Sequence, residues 1–89
     1  MPQVRVPPPY QGPTRGNGTI DVEGDTVLAC LEAAGAKYPG FLEQVLDSQG
    51  AVHRFVQLFV NGDEIDRSAL ATPVAASDTV EILAAIAGG

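Results

Sequence analysis

Tryptophan is absent, cysteine and methionine occur once each, and cations are scarce: five Lys and Arg stand against eleven Asp and Glu, a net charge of −6. One cysteine cannot close an internal disulfide, which points to a reducing compartment and a cytoplasmic protein. So few cations argue against nucleic acid as a partner, because affinity for phosphate backbones comes mainly from Lys and Arg releasing counterions. Anionic membranes are disfavoured for the same reason. The balance suits instead a docking partner with a positive surface, since opposite potentials speed encounter. No apolar run approaches the roughly 20 residues that a membrane span needs. The start, MPQVRVPPPY, lacks the charged region leading into an apolar core that marks a secretory signal. A chain of 89 residues is one small domain; at this size roughly 60% of the unfolded surface is buried, enough for a modest core.

What is present is a succession of short periodic segments. Residues 3–6, QVRV, alternate polar and apolar as a half-buried strand does. Pro7, Pro8 and Pro9 stop its ladder, since proline has no N–H to give. After a turn-rich loop, GTIDVEG alternates again, so the two runs read as an N-terminal hairpin. The period then changes. Asp25 or Thr26 can cap a helix whose stripe is Val27, Leu31, Ala34 and Tyr38, weakened late by Gly35 and broken at Pro39-Gly40. GFLEQVLDSQG reads as a further helical turn or two. HRFVQLFVNGDEI carries the strongest strand signal, with Asn61-Gly62 as a hairpin turn and DEID as a short returning edge. RSALATPVAASD reads as a loop holding at most one helical turn, and TVEILAAI as the last strand. One helix laid across one face of a small mixed sheet of four or five strands is an α+β solution with a single core.

Few residues offer chemistry. His53 is followed by Arg54, without a nucleophile or ligand pattern, and reads as an ordinary polar residue at a strand start. Cys30 falls beside the helix's apolar stripe and reads as a small buried hydrophobe. No cluster has metal-ligand spacing; Asp63, Glu64 and Asp66 read as a solvated turn, since a calcium loop needs more ligands at longer spacing. PPPY matches peptides bound in aromatic grooves, or is a proline-stiffened loop. An active site of its own is not expected. A surface feature is. If Val56, Leu58 and Val60 face the helix, then Phe55 and Phe59 face away, and on the last strand Leu83 turns outward with them. Such a cluster suits partner docking, unless the 39–50 segment or a second copy covers it.

The chain runs out in LAAIAGG, where bulky side chains give way to two glycines, Gly88 and Gly89. Residues without a Cβ contribute no packing but leave room for close approach of another backbone. This ending, together with RFVQLFVNG and the acidic turn after it, resembles the ThiS/MoaD-type sulfur carriers, which have the ubiquitin-like β-grasp fold. HRFVQLFVN, GDTV and ILAAIAGG look most like the branch called CysO, which carries sulfur for cysteine synthesis. The resemblance spans Val4 to Gly89 and departs from the compact thiazole-forming carriers in its proline-rich hairpin loop and greater length. It implies a β-grasp domain over 1–85 and a flexible tail over 86–89. It implies that Gly89 is the site of adenylation and thiocarboxylate formation. Ile86, Ala87 and Gly88 would thread a partner's active site, and Phe55, Phe59 and Leu83 would dock. The implied partners are a ThiF/MoeB-like adenylating enzyme that uses ATP and Mg, a sulfurtransferase, and a sulfur-accepting biosynthetic enzyme. The carrier itself would bind no cofactor and no metal. The same activated Gly89 could instead be passed to a lysine, making the chain a protein modifier, or the domain could be an interaction module with incidental glycines.

Overall fold

Both N-terminal alternations form strands, β1 (Gln3–Arg5) and β2 (Thr19–Asp21), paired antiparallel with Val4 opposite Ile20. The computed structural model describes residues 1–84. Ile86, Ala87, Gly88 and Gly89, and the domain boundary expected after residue 85, lie outside the described residues. Val6 extends the hairpin by one hydrogen bond, its N–H donating to the Gly18 carbonyl at 2.9 Å, before Pro7 ends the ladder. The three prolines do not run on as an extended groove ligand. Pro8–Tyr10 form a single 3₁₀ turn, closed by the Tyr10 N–H on the Pro7 carbonyl at 2.9 Å.

Helix α1 (Val27–Lys37) begins at Thr26, whose extended backbone lets Oγ1 accept from the Ala29 N–H at 3.1 Å. Of the two candidate caps it is the threonine that serves. Two more of the helix's orphan donors are met from far along the chain: the Val27 and Leu28 N–H groups donate to the carbonyls of Thr72 and Leu70 at 3.0 and 2.9 Å. This accounts for the form of the 67–78 loop. The segment holds no helical turn; it runs through hydrogen-bonded turns closed at Asp66–Ala69, Ala69–Thr72 and Ala75–Asp78. Its carbonyls at 70 and 72 are taken by α1, and Pro73 has no N–H to continue a helix. A short helix α2 (Phe41–Val45) follows Gly40, which sits at φ 96°. It packs on α1 at Gly35, where an added Cβ would come within 2.8 Å of the Leu42 Cβ. Gly35 is therefore a point of close approach between the helices.

The strand β3 (Val56–Val60) starts later than the alternation suggested, because His53, Arg54 and Phe55 form a turn closed by the Val56 N–H on the His53 carbonyl at 3.0 Å. It turns back into β4 (Asp63–Ile65) through Asn61 at φ 51° and Gly62 at φ 86°, the positive pair that a tight hairpin requires. Then β5 (Thr79–Ala84) enters the middle of the sheet, in the order β2-β1-β5-β3-β4, parallel to β1 and antiparallel to β3. Val4, Ile20, Val56, Leu58, Val80 and Ile82 join Val27, Cys30, Leu31 and Ala34 of α1 and Phe41 of α2 in one buried cluster. The expected α+β β-grasp arrangement, one main helix across one face of a mixed sheet, is what forms.

Asp78 ties the strands' ends together. Its Oδ1 accepts from Asn61 Nδ2 at 2.9 Å and its Oδ2 from the Ala75 N–H at 2.8 Å, while Asn61 Oδ1 accepts from the Thr79 N–H at 2.9 Å. The Ala75 and Asn61 donors hold the carboxyl below its ordinary value. Because the folded value is depressed, this stabilisation is present above the unfolded aspartate's pKa of about 3.9 and is lost as pH falls through the lower folded value. Asp78→Ala should accordingly lower the urea midpoint near neutral pH, with the difference from wild type shrinking in strong acid. Gly35→Ala should destabilise by about 1–3 kcal/mol in urea unfolding, despite alanine's better helix propensity, because it overpacks against Leu42.

Candidate functional site

The face of the sheet turned away from α1 carries one rung that crosses all five strands. Thr19, Arg5, Glu81, Phe59 and Glu64 stand side by side, by register of β2 with β1, β1 with β5, β5 with β3 and β3 with β4. Gln57 and Leu83 form a neighbouring pair, and Phe55 lies just beyond the start of β3. The parity read from the sequence holds: Val56, Leu58, Val80 and Ile82 are buried, whereas Phe55 is 46% and Leu83 36% exposed. Phe59 is more sheltered, half-buried between its cross-strand neighbours Glu81 and Glu64. The 39–50 segment does not cover this face, since α2 packs on α1 and contributes Phe41 and Val45 to the core on the other side. The structure thus brings Phe59 and Leu83 onto one open surface, with carboxylates beside the Phe59 ring, and leaves Phe55 exposed in the turn before β3.

Sequence reasoning missed a second component. The proline-rich loop rises beside the open face and makes a cleft of about 380 Å³ with it, lined by Arg5, Pro7, Pro8, Gln11, Glu81 and Leu83 among others. Gln11 Nε2 holds the loop down by donating to the Val6 carbonyl at 2.9 Å, and Thr14, fully buried, donates its hydroxyl to the Asn17 carbonyl at 2.9 Å. The cleft borders β5 close to Ala84, the last described residue. Its signal lay in the long, proline-stiffened loop, but which strand that loop would flank depends on the parallel pairing of β1 with β5, residues far apart in sequence.

The other sequence candidates carry no site. Cys30 is fully buried, and burial first, then the charge of Asp25, raises its thiol above the ordinary value, so the nucleophilic thiolate is disfavoured. His53 precedes β3 and its Nε2 lies 3.1 Å from the Glu43 carbonyl, a contact that joins that turn to α2. Asp63, Glu64 and Asp66 are exposed, and among the described residues no group of His, Cys, Asp and Glu could hold a metal ion. No helix among them is long and apolar enough to cross a membrane.

A family model described as the ThiS family matches residues 14–89. The sulfur carrier protein CysO of Mycobacterium tuberculosis is 38% identical over 89 residues, covering 97% of this chain and 96% of that protein. The crystal structure of M. tuberculosis CysO superposes with a TM-score of 0.88 at 34% identity, over 97% of this chain and all of the other. A chain in the crystal structure of the Amycolatopsis orientalis BexX/CysO complex superposes with a TM-score of 0.89 at 27% identity, over 100% of both. Exposure separates surface from core among the aromatics, and this is open to measurement. Phe55→Ser should change folding stability by no more than about 0.5 kcal/mol, whereas Phe41→Ala should cost about 3–5 kcal/mol, both read by urea denaturation.

Proposed function

The chain belongs to the ThiS family, and on that premise we propose that it is a sulfur carrier whose Gly89 carboxylate is activated by a partner and converted to a thiocarboxylate. The observation that carries the reading is that the family match runs through to residue 89, so that it includes both terminal glycines. Near full-length identity to a sulfur carrier supports it, as does a structural neighbour seen in complex with another protein.

The chemistry follows from what a terminal carboxylate can and cannot do. With a pKa of about 3.3–3.7 it is ionised at neutral pH and can attack an electrophilic phosphorus, yet it is a poor acyl donor. Attack on the α-phosphorus of ATP, with magnesium in the partner's site, expels pyrophosphate and leaves an acyl-adenylate with a good leaving group. The outer sulfur of a sulfurtransferase persulfide then displaces AMP as an acyl disulfide, a thiol cleaves the S–S bond, and the thiocarboxylate so released gives its sulfur to a biosynthetic acceptor. One difficult substitution becomes two easier ones. The ATP, magnesium and catalytic groups belong to a ThiF/MoeB-like adenylating enzyme, so the chain acts as a protein cosubstrate. Residues 86–89 form the segment that enters that enzyme, and Gly88 and Gly89 leave room for its walls. The open face, with Phe59 and Leu83 at its centre and Glu64 and Glu81 beside them, docks together with Phe55 on an apolar surface edged with cations. The single cysteine, unpaired and buried, suits a cytoplasmic setting.

Intact-mass measurement of the protein from its native host should reveal a species heavier by the difference between sulfur and oxygen, located at Gly89 by fragmentation. Ladders of the chain on other proteins would favour conjugation to lysines instead. A wild-type chain that the host's adenylating enzyme leaves unmodified would overturn both. Gly89→Val should abolish adenylation while leaving thermal unfolding unchanged; adenylation at the wild-type rate would refute the account of the tail.

A further inference from the structure

Cations are rare in this chain, yet two of the five Lys and Arg residues meet at one corner, together with its only histidine. Arg54 and Arg67 border a shallow hollow of about 590 Å³ that His53 and Leu70 also line. Two carboxylates share the hollow, but both are turned onto their own backbone. Asp47 Oδ1 accepts from the Gln49 and Ala51 N–H groups at 2.8 and 3.1 Å. Asp66 Oδ1 accepts from the Ser68 N–H at 2.8 Å and the Ser68 hydroxyl at 2.6 Å. Those Ser68 bonds are the main reason the Asp66 carboxyl is held below its ordinary value, and the charge of Arg67 is the smallest contributor. The guanidiniums themselves contact neutral groups. Arg67 Nη1 donates to the His53 carbonyl at 3.4 Å, and the Arg54 guanidinium carbon lies 5.3 Å from the Phe55 ring centre. Both arginines are exposed.

Their position matters as much as their charge. Val56 pairs with Ala84, so Phe55 and Arg54 stand immediately beyond the last described rung between β3 and β5, beside the point from which the chain continues toward Gly89. Phe55, exposed in the turn before β3, carries Arg54 over its ring. The corner that holds the two arginines therefore adjoins the start of β3 and the end of β5.

We propose that Arg54 and Arg67 bind carboxylates on the adenylating partner's surface, beside the entrance through which it receives the tail. The proposal rests on the reading of Gly89 as the activated residue. A protein surface is the occupant that fits. The arginines lie exposed along an open hollow, so a small free anion would stay largely hydrated between them. A partner that covers Phe55 brings the desolvation that makes a guanidinium–carboxylate pair worth having. A polyanion such as nucleic acid is opposed by the net charge of −6. The pairing would also fix orientation. A partner attracted only to the acidic face could approach in several rotations, whereas one that must also meet a cationic corner near Ala84 is brought to the tail in a single sense.

The test is steady-state adenylation by the host's ThiF/MoeB-like enzyme, with the carrier as varied substrate. Arg54→Glu/Arg67→Glu should raise KM roughly tenfold or more with kcat within about twofold of wild type, and the gap should narrow with added salt. Arg54→Lys/Arg67→Lys should recover most of the loss. Arg15→Glu/Lys37→Glu, the same change in charge placed elsewhere, should move KM far less. Circular dichroism melts of each variant establish that it is folded. If the corner reversal and the remote reversal give equal KM values, the contact is refuted and the sulfur-carrier reading stands. Saturable binding of inorganic phosphate at submillimolar concentration, seen as NMR shifts confined to His53, Arg54 and Arg67, would also refute it in favour of a small-anion site. A wild type that is not adenylated at all removes the reading and the contact together.

Discussion

The parallel pairing of β1 with β5 is the constraint from which the rest of the molecule follows. Among the described residues, β5 is the only strand that touches both halves of the sheet, with the β1–β2 hairpin on one side and the β3–β4 hairpin on the other. A parallel neighbour cannot be reached by a tight turn and needs a crossover, so the whole of α1, α2 and the second hairpin must lie between. The crossover lays α1 over one face and leaves the other bare. It also gives the segment beyond β5 a rigid origin, since Val80 and Ile82 are fully buried while the strand is gripped from both edges.

Around that origin the surface carries both signs. On the open face Glu81 and Glu64 flank Phe59, with Arg5 next to Glu81, and on the corner beside Ala84 the two arginines meet a carbonyl and an aromatic ring among the described residues. Asp47, Asp66 and Asp78 each close a turn by accepting from its backbone N–H groups.

What the sequence made legible was the part governed by local periodicity. Alternation at Val56–Val60 and Val80–Leu83, the cap before Val27 and the Asn61-Gly62 turn each depend on a few neighbouring residues, and each formed as expected. What it hid depended on distant partners. Residues 67–78 carry small residues compatible with a helical turn, but their carbonyls at 70 and 72 are drawn to the start of α1, some forty residues earlier in the chain by any reading of 27 against 70. Phe55 reads as a strand residue by parity and is instead the last member of a turn. Gly35 reads as a weak point in a helix, and only the packing of Leu42 on it shows why a side chain would not fit. Arg54 and Arg67 are brought together by the β3–β4 hairpin, but the hollow they share also needs Asp47 and Leu70, which lie outside that hairpin.

The central place of β5 has a further consequence, in time rather than in space. The strand that joins the two hairpins is the last described element to be synthesised, and its partner Val4 lies at the opposite end of the chain from Val80. Such long-range pairing is slow to nucleate, and it cannot begin until β5 itself has been made. A chain interrupted before β5 therefore holds two hairpins with no strand to join them.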